Sequence, residues 1–142
     1  MSMTPTREAI VAAARAMLGT PFHHQGRVPG VGVDCAGLVV CALQQSGIDV
    51  SDRAGYGRIP AQGLFSQTVA EQCDAIDLAD VQPGDLLSFV FRSDPQHIAI
   101  VVSIDPIMMI HAVQTNKRVV ENGLDATWRE RLRGAWRKRG ID

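Results

Sequence analysis

Three residues have the types and the order along the chain that nucleophilic catalysis through sulfur requires, namely Cys35, His97 and His111. Cys35 follows Asp34 at the point where a Gly- and Pro-rich stretch gives way to an apolar sequence typical of a helix. Because Asp34 is a favourable N-cap, Cys35 is predicted to be the first residue of that helix. The unpaired N–H groups and the positive end of the helix dipole at this position favour the thiolate, which is the nucleophile.

The two histidines can supply a base and the group that orients it. His97 and His111 each lie in an apolar run that predicts a strand, with a turn at Asp105-Pro106 between them. Opposite side chains on antiparallel strands stand about 5 Å apart, so one histidine can hydrogen-bond the other and fix its tautomer. We therefore expect Cys35 to attack a carbonyl carbon, His97 to take and return the proton, and His111 to orient His97. His97, at the start of its strand, is expected to open onto a cleft, and the backbone N–H of Cys35 to stabilise the oxyanion.

A structural zinc site is the alternative use of the same three residues. The position of Cys35 at a helix start and the absence of CxxC-type pairs disfavour it, so no metal and no cofactor is predicted. The remaining cysteines, Cys41 and Cys73, are predicted to be small buried hydrophobes, because three cysteines cannot make a disulfide framework.

Helices precede strands along the chain, which predicts an α+β fold. Thr4 as N-cap and Pro5 begin a helix to about Leu18, and the Cys35 helix runs to about Ser46. A third helix is predicted from about Gln62 to Cys73. An antiparallel meander follows, with strands predicted at residues 86–91, 97–102, 108–113 and 118–121 and a short last strand around Ala135-Trp136.

Length and composition indicate one domain over residues 1–142, with a formal net charge of −1 that gives no reason to expect nucleic acid as a partner. No apolar run reaches the roughly 18 residues of a membrane span, and no apolar leader follows a basic start. We therefore expect no membrane contact and a cytoplasmic location when the protein is made. A basic run near the end predicts either a solvated face or a contact with an anionic wall polymer or partner protein; it comprises Arg129, Arg131, Arg133, Arg137, Lys138 and Arg139.

Five segments, in the same order and at similar spacing, resemble the NlpC-type cell-wall cysteine peptidases: Gly19-Thr20-Pro21-Phe22, Val33-Asp34-Cys35-Ala36-Gly37-Leu38-Val39, Pro83-Gly84-Asp85-Leu86, His97-Ile98-Ala99-Ile100-Val101 and Ile110-His111-Ala112. The resemblance implies a papain-like α+β fold in which helices pack on an antiparallel sheet. It implies a triad with Cys35 as nucleophile, His97 as base and His111 as orienting residue. It also implies hydrolysis of peptidoglycan stem peptides, usually between γ-D-glutamate and the diamino acid.

The resemblance also implies substrate contacts beside the nucleophile, at Phe22, Asp34 and Ala36. Asp34 matches the family's substrate-contacting aspartate, which can receive a free peptide amine. Ala36 stands where the family usually has serine, and Phe22 where it often has tyrosine, so neither position offers a hydroxyl.

Within the family, the chain looks most similar to the branch found in phage-tail and gene-transfer-agent clusters, on Phe22-His23-His24-Gln25, Gly30-Val31-Gly32-Val33, Tyr56-Gly57-Arg58 and the segments Val119-Val120-Glu121 and Trp128-Arg129. This implies a virion-tail location and phage tail proteins as partners. The alternative function is a tail-assembly or tail-tip structural protein with the same fold and little or no hydrolase activity. A related amidase or acyltransferase acting on a substrate outside the wall is a third possibility.

Overall fold

The computed structural model describes residues 3–51, 69–90 and 95–141. Two capped helices begin the fold, as the sequence predicts. Helix α1 spans Pro5–Ala16, with the Thr4 hydroxyl accepting a hydrogen bond from the N–H of Arg7. Helix α2 spans Cys35–Gln45, and Asp34 caps it by accepting from the N–H of Gly37 at 2.8 Å. The nucleophile candidate is therefore the first residue of a helix.

A six-stranded antiparallel sheet forms the second layer. Its strands are β3 (Cys73–Ile76), β4 (Leu86–Val90), β5 (Pro95–Ile104), β6 (Ile107–Val113), β7 (Arg118–Gly123) and β8 (Leu132–Lys138). Their order across the sheet is β3-β8-β4-β5-β6-β7. The predicted meander of β4 to β7 is confirmed. The strand β5 that carries His97 is internal, with β4 on one side and β6 on the other.

Alternating residues of the strands build two apolar clusters on opposite faces of the sheet, which follows from the two-residue period of a strand. On one face, Ile98 and Ile100 of β5 belong to a cluster with Leu38 of α2 and the other buried apolar residues of both helices. On the other face, Ala99 and Val101 join a second cluster that includes the ring of Trp128. Both helices therefore cover one face, and the other is covered by the segment after β7.

A buried ion cluster ties α1 to the sheet. The carboxylate of Asp85, fully buried in the Pro83-Gly84-Asp85 turn, accepts from the guanidinium of Arg7 at 3.1 Å and from that of Arg137 on β8. Arg7 also donates to the carbonyl of Pro83. Because a buried carboxylate is costly unless it is paired, these bonds fix the turn that leads into β4.

The structure corrects three sequence predictions. Cys73 begins β3 and pairs with Lys138, so it does not end a helix; residues 69–72 are helical, and the rest of the predicted third helix lies outside the described residues. The last strand is longer than predicted, because β8 lies between two partners, β3 and β4, and both hold it in register. Besides β3 and a 3₁₀ turn at Leu78–Asp80, the sequence analysis did not predict the short strands β1 (Arg27–Val28) and β2 (Gly32–Val33), which form a hairpin, or helix α3 (Ala126–Arg131), capped by Asp125.

The basic run does not form a uniformly solvated face. Arg137 pairs with Asp85, Arg139 pairs with the exposed Asp74, and Lys138 is buried with its ammonium donating to a backbone carbonyl. Part of this charge therefore holds β8 in place. In the described part of the chain, no helix has the length and apolar character needed to cross a membrane.

Candidate active site

The nucleophile candidate lies against the start of β5. The backbone N–H groups of Ile98 and Ala36 donate to the sulfur of Cys35, which places that sulfur beside the residue that follows His97. Cys35 itself is half-buried, whereas Cys41 and Cys73 are buried free thiols, as predicted. The structure thus brings the start of α2 and the start of β5 together, as the order of residues along the sequence implied.

The two histidines are in direct contact. Nε2 of His97 lies 2.7 Å from Nδ1 of His111, and the ring centroids are 4.9 Å apart. The register pairs Ile100 with Ile110, so His111 is diagonal to His97 rather than opposite it. Diagonal neighbours on one face are still within reach of aromatic rings. The predicted contact between the histidines is therefore present, although by a different register.

A third polar group, not predicted from the sequence, extends this pair. The Oδ1 of Asn122 on β7 lies 2.6 Å from Nε2 of His111, and the amide nitrogen of Asn122 donates to the carbonyl of Gly123. Since that oxygen can only accept, His111 must carry its proton on Nε2 when it is neutral. Its Nδ1 is then an acceptor for the Nε2–H of His97. The side-chain amide of Asn122 therefore sets the tautomer of both histidine rings. In this arrangement the lone pair of the neutral His97 ring is on Nδ1.

The tryptophan of α3 covers both histidine rings. The centroid of Trp128 lies 4.8 Å from that of His111, 5.6 Å from that of His97 and 5.2 Å from that of Phe89. His97 is consequently only 3% exposed and His111 is fully buried, which corrects the expectation that His97 opens onto a cleft. The sequence analysis did not place Trp128 at the site; Asp125, a good N-cap three residues before it, was the available signal for its helix.

Burial sets the protonation states of the site. Burial, with smaller contributions from His111 and Arg131, lowers the pKa of His97 well below 6.5. Burial also lowers the pKa of His111, against the hydrogen bond with Asn122, which raises it. Both rings are neutral near pH 7, so His97 is available as a base.

Desolvation raises the pKa of Cys35, whereas the helix dipole lowers it. Burial and the adjacent carboxylate of Asp34 raise the pKa of Cys35 to about 12, against the N–H donors of Ile98 and Ala36 and the charge of Arg27, which lower it. The raised pKa favours a neutral thiol near pH 7, whereas the helix start was expected to favour the thiolate.

Two of the residues predicted to contact substrate lie beside Cys35 in sequence, and the third lies on the preceding loop. Asp34 is buried, and its oxygens accept from Gln25, Arg27 and Gly37. Ala36 is half-buried in the first turn of α2, and Phe22 packs against the helix-side cluster. Their contacts with substrate stay predictions. In the described part of the chain, no group of three or more His, Cys, Asp or Glu side chains is placed to hold a metal ion.

Comparison with known proteins places this architecture in a family. Residues 19–137 match the family model described as NlpC/P60 family, and the chain belongs to that family. A protein of Mycobacterium tuberculosis strain H37Rv, named "probable endopeptidase", is 37% identical over 106 residues, which are 75% of this chain but 23% of that protein. A "probable endopeptidase" of Corynebacterium glutamicum strain ATCC 13032 is 29% identical over 84% of this chain and 49% of its own length. The chain therefore spans half or less of these curated relatives.

Solved structures share the fold. A Staphylococcus aureus protein of the NLP/P60 family superposes with a TM-score of 0.73 at 22% identity, covering 96% of this chain and 42% of that one. The NlpC/p60 domain of the peptidoglycan hydrolase SagA superposes with a TM-score of 0.64 at 25% identity, covering 91% of this chain and 96% of that domain. The predicted α+β fold with helices packed on an antiparallel sheet is confirmed.

Proposed function

We propose that this protein is a cysteine endopeptidase that hydrolyses peptidoglycan stem peptides through a thioester on Cys35. Two neighbouring observations carry the proposal. Cys35 lies against the start of β5, at Ile98, and His97, the residue before Ile98, begins a hydrogen-bonded series with His111 and Asn122. Membership of the NlpC/P60 family and the names of its relatives support a peptidase acting on the wall. The bond that we propose is the amide between γ-D-glutamate and the diamino acid.

The neutral thiol and neutral imidazole define the first chemical step. As the sulfur of Cys35 bonds to the carbonyl carbon, its proton passes to Nδ1 of His97, the ring nitrogen not used for His111. The resulting imidazolium is stabilised by donating its Nε2–H to His111. The backbone N–H of Cys35 donates to the oxyanion, as the helix start allows.

Three further proton transfers complete the cycle. The tetrahedral intermediate collapses as the amine of the diamino acid leaves with the proton from His97, and an acyl thioester on Cys35 remains. A water molecule then attacks the thioester while His97 takes one of its protons. Collapse of this second intermediate returns that proton to the sulfur and releases the γ-D-glutamyl product.

We place the substrate contacts predicted from the resemblance on the acyl side of the scissile bond. Ala36 and Asp34 flank the nucleophile, and the half-buried ring of Phe22 lies on the loop that leads to it. Because Phe22 and Ala36 have no hydroxyl, the contacts of these two residues with substrate are apolar or made by the backbone.

The proposal is tested by digesting soluble muropeptides and identifying the products by mass spectrometry. Wild type is expected to split the stem peptide after D-glutamate, and Cys35→Ala is expected to leave it intact. Intact muropeptides with both proteins would favour the alternative of a structural tail protein. Products cut at another bond would support the endopeptidase activity but reject the proposed scissile bond.

We further propose that the enzyme acts as a component of a phage tail, with tail proteins as partners. The support is the similarity of the five segments given above, among them Phe22-His23-His24-Gln25, to the phage branch of the family. Mass spectrometry of purified particles from an induced culture of the source bacterium tests this proposal. Peptides of this chain should copurify with tails, and their restriction to the cell fraction would contradict it.

A further inference from the structure

An exposed arginine lies at the same end of the sheet as the candidate base. Strands β8, β4 and β5 pair so that Phe89 lies between Leu132 on one side and His97 on the other. Because neighbouring strands are about 4.8 Å apart, the backbone of Leu132 is about 10 Å from that of His97. Arg131 is the last residue of α3, comes directly before Leu132 and is exposed. Its long side chain is therefore within reach of the site.

The guanidinium of Arg131 lies against the group that covers the histidines. Its Cζ is 5.4 Å from the centroid of the Trp128 indole, which is within the range of a cation–π contact. The same indole contacts the rings of His97 and His111. Burial first, then His111 and the charge of Arg131, lower the pKa of His97. The cation is thus close enough to act on the ring of the base.

Other arginines of the basic run have structural contacts. Arg137 and Arg139 pair with carboxylates of the protein. Arg129 and Arg133 donate to backbone carbonyls. The guanidinium of Arg131 lies over the indole that covers the histidines, and its charge is therefore next to the site.

The nucleophile and Arg131 lie on opposite faces of this end of the sheet. Cys35 packs with the helix-side cluster, whereas Trp128 of α3 joins the cluster on the other face. Since Cys35 lies against Ile98, a stem peptide that extends from Cys35 toward α3 passes His97. His97 gives its proton to the leaving amine in the proposed reaction, so the part of the peptide on the α3 side is the diamino acid.

From this placement we infer that Arg131 binds a carboxylate of the leaving diamino acid and makes the enzyme selective for stem peptides that carry it. The inference rests on the proposed function and adds a specificity-determining residue to it. The diaminopimelate of a tripeptide has a carboxylate at each of its two stereocentres, and a guanidinium makes paired, charge-assisted hydrogen bonds with such a group. The bound carboxylate also offsets the repulsion between Arg131 and the imidazolium that forms on His97, so it stabilises the transition state as well as the bound substrate.

Four peptides test the inference. The parent is N-acetyl-L-Ala-γ-D-Glu-meso-diaminopimelate, the acetylated tripeptide, in which the acetyl group removes the charge of the α-amine. In two derivatives the leaving residue lacks one carboxylate: L-lysine replaces diaminopimelate, which deletes the side-chain carboxylate, or the α-carboxylate is a carboxamide. In the fourth peptide, D-isoglutamine replaces γ-D-glutamate, which removes the carboxylate on the acyl side of the scissile bond.

Arg131→Gln should lower kcat/KM for the acetylated tripeptide by about tenfold. The loss should be smaller or absent for the derivative that lacks the carboxylate bound by Arg131, and that derivative identifies the carboxylate. With the D-isoglutamine peptide the loss should remain about tenfold. Arg131→Lys keeps the charge without the planar fork, so it should lose less than Arg131→Gln.

Arg133→Gln is the matched control. Arg133 is also exposed and also lies near the start of β8, but its guanidinium donates to the carbonyls of Glu130 and Leu132. This variant should cleave all four peptides at wild-type rates. Thermal melting checks that each variant is folded.

Three results would overturn the inference while leaving the proposed function intact. One is an equal loss with all four peptides in Arg131→Gln, because the role of Arg131 would then not depend on a carboxylate. Another is a loss that disappears only with D-isoglutamine, because the bound carboxylate would then lie on the acyl side. The third is no loss with any peptide. If wild type cleaves none of the peptides, the proposed function is rejected, and the inference with it.

Discussion

Nε2 of His111 faces Oδ1 of Asn122 at 2.6 Å, and this contact determines which nitrogen of His97 can act as a base. The amide oxygen accepts a hydrogen bond from the Nε2–H of His111, so Nδ1 of His111 accepts one from the Nε2–H of His97 at 2.7 Å. The remaining nitrogen of His97, Nδ1, then holds the lone pair. The catalytic role proposed for the two histidines therefore depends on a third residue.

Replacement of Asn122 tests this dependence. Asn122→Ala removes the acceptor, so a fraction of His97 will have its proton on Nδ1, and kcat should fall by about 10- to 100-fold with little change in KM. Asn122→Asp restores an acceptor at the same position and should recover most of the loss. Steady-state kinetics on the acetylated tripeptide measures both. An unchanged kcat in Asn122→Ala would contradict the tautomer argument.

Alkylation of Cys35 tests its resting protonation state. Because the pKa of the thiol is raised to about 12, we expect slow reaction with iodoacetamide at pH 6 and a rate that climbs steadily above pH 9. The extent of modification at Cys35 is read by peptide mass spectrometry. Fast alkylation at pH 6, abolished by His97→Gln, would instead show a thiolate–imidazolium pair.

Trp128 should matter for both stability and catalysis, since its ring contacts both histidines. Trp128→Ala opens a cavity beside them and should lower the free energy of unfolding by about 2–3 kcal/mol and reduce kcat. Trp136→Ala is the matched control: Trp136 is also half-buried, but its indole donates to Ser88. The Trp136→Ala variant should be less stable than wild type, but its folded fraction should have the wild-type kcat. Urea unfolding and kinetics on both variants distinguish the two; equal kcat values would rule out a role of Trp128 at the site.

The pKa shifts predict how stability changes with pH. His97 and His111 have lowered pKa values in the folded state, so their contribution is complete above about pH 6.5 and is lost as pH falls below it. Burial raises the pKa of Cys35 to about 12 and that of Cys73 to about 11, so their contribution is complete below pH 9.0 and is lost as pH rises above it.

Urea unfolding at pH 5, 7.5 and 10.5 checks the acid and the alkaline limb of this stability curve. The greatest free energy of unfolding is expected near pH 7.5. Cys35→Ser and Cys73→Ser should flatten the alkaline limb without changing the acid one. Stability that rises from pH 7.5 to pH 5 would contradict the lowered histidine pKa values.

Much of the fold follows from local sequence signals. Caps at Thr4 and Asp34 begin the helices, and β-branched runs between Pro- and Asp-containing turns give the strands of the meander. The structure brings Cys35 and the start of β5 together as the order of residues implies. The register of the strands could not be predicted from the sequence. A bulge between Val101 and Ser103 shifts the pairing of β5 and β6, and His97 and His111 are diagonal neighbours.

The rest of the site depends on contacts distant in sequence. Asn122 reaches His111 because β7 pairs with β6. Trp128 contacts the histidine rings because α3 packs over this face of the sheet. Arg27 meets Asp34 through a hairpin of two-residue strands, too short for any periodicity to reveal. The raised pKa of Cys35 has the same origin, since desolvation depends on packing that the helix-start pattern does not contain.

The most direct test of the account is the cleavage of N-acetyl-L-Ala-γ-D-Glu-meso-diaminopimelate by wild type, Cys35→Ala and the control Cys73→Ala. Wild type and Cys73→Ala should release N-acetyl-L-Ala-γ-D-Glu, while Cys35→Ala should lose more than about 10⁴-fold in kcat/KM and still fold. Release of that product by Cys35→Ala at the wild-type rate would show that the sulfur of Cys35 is not the nucleophile.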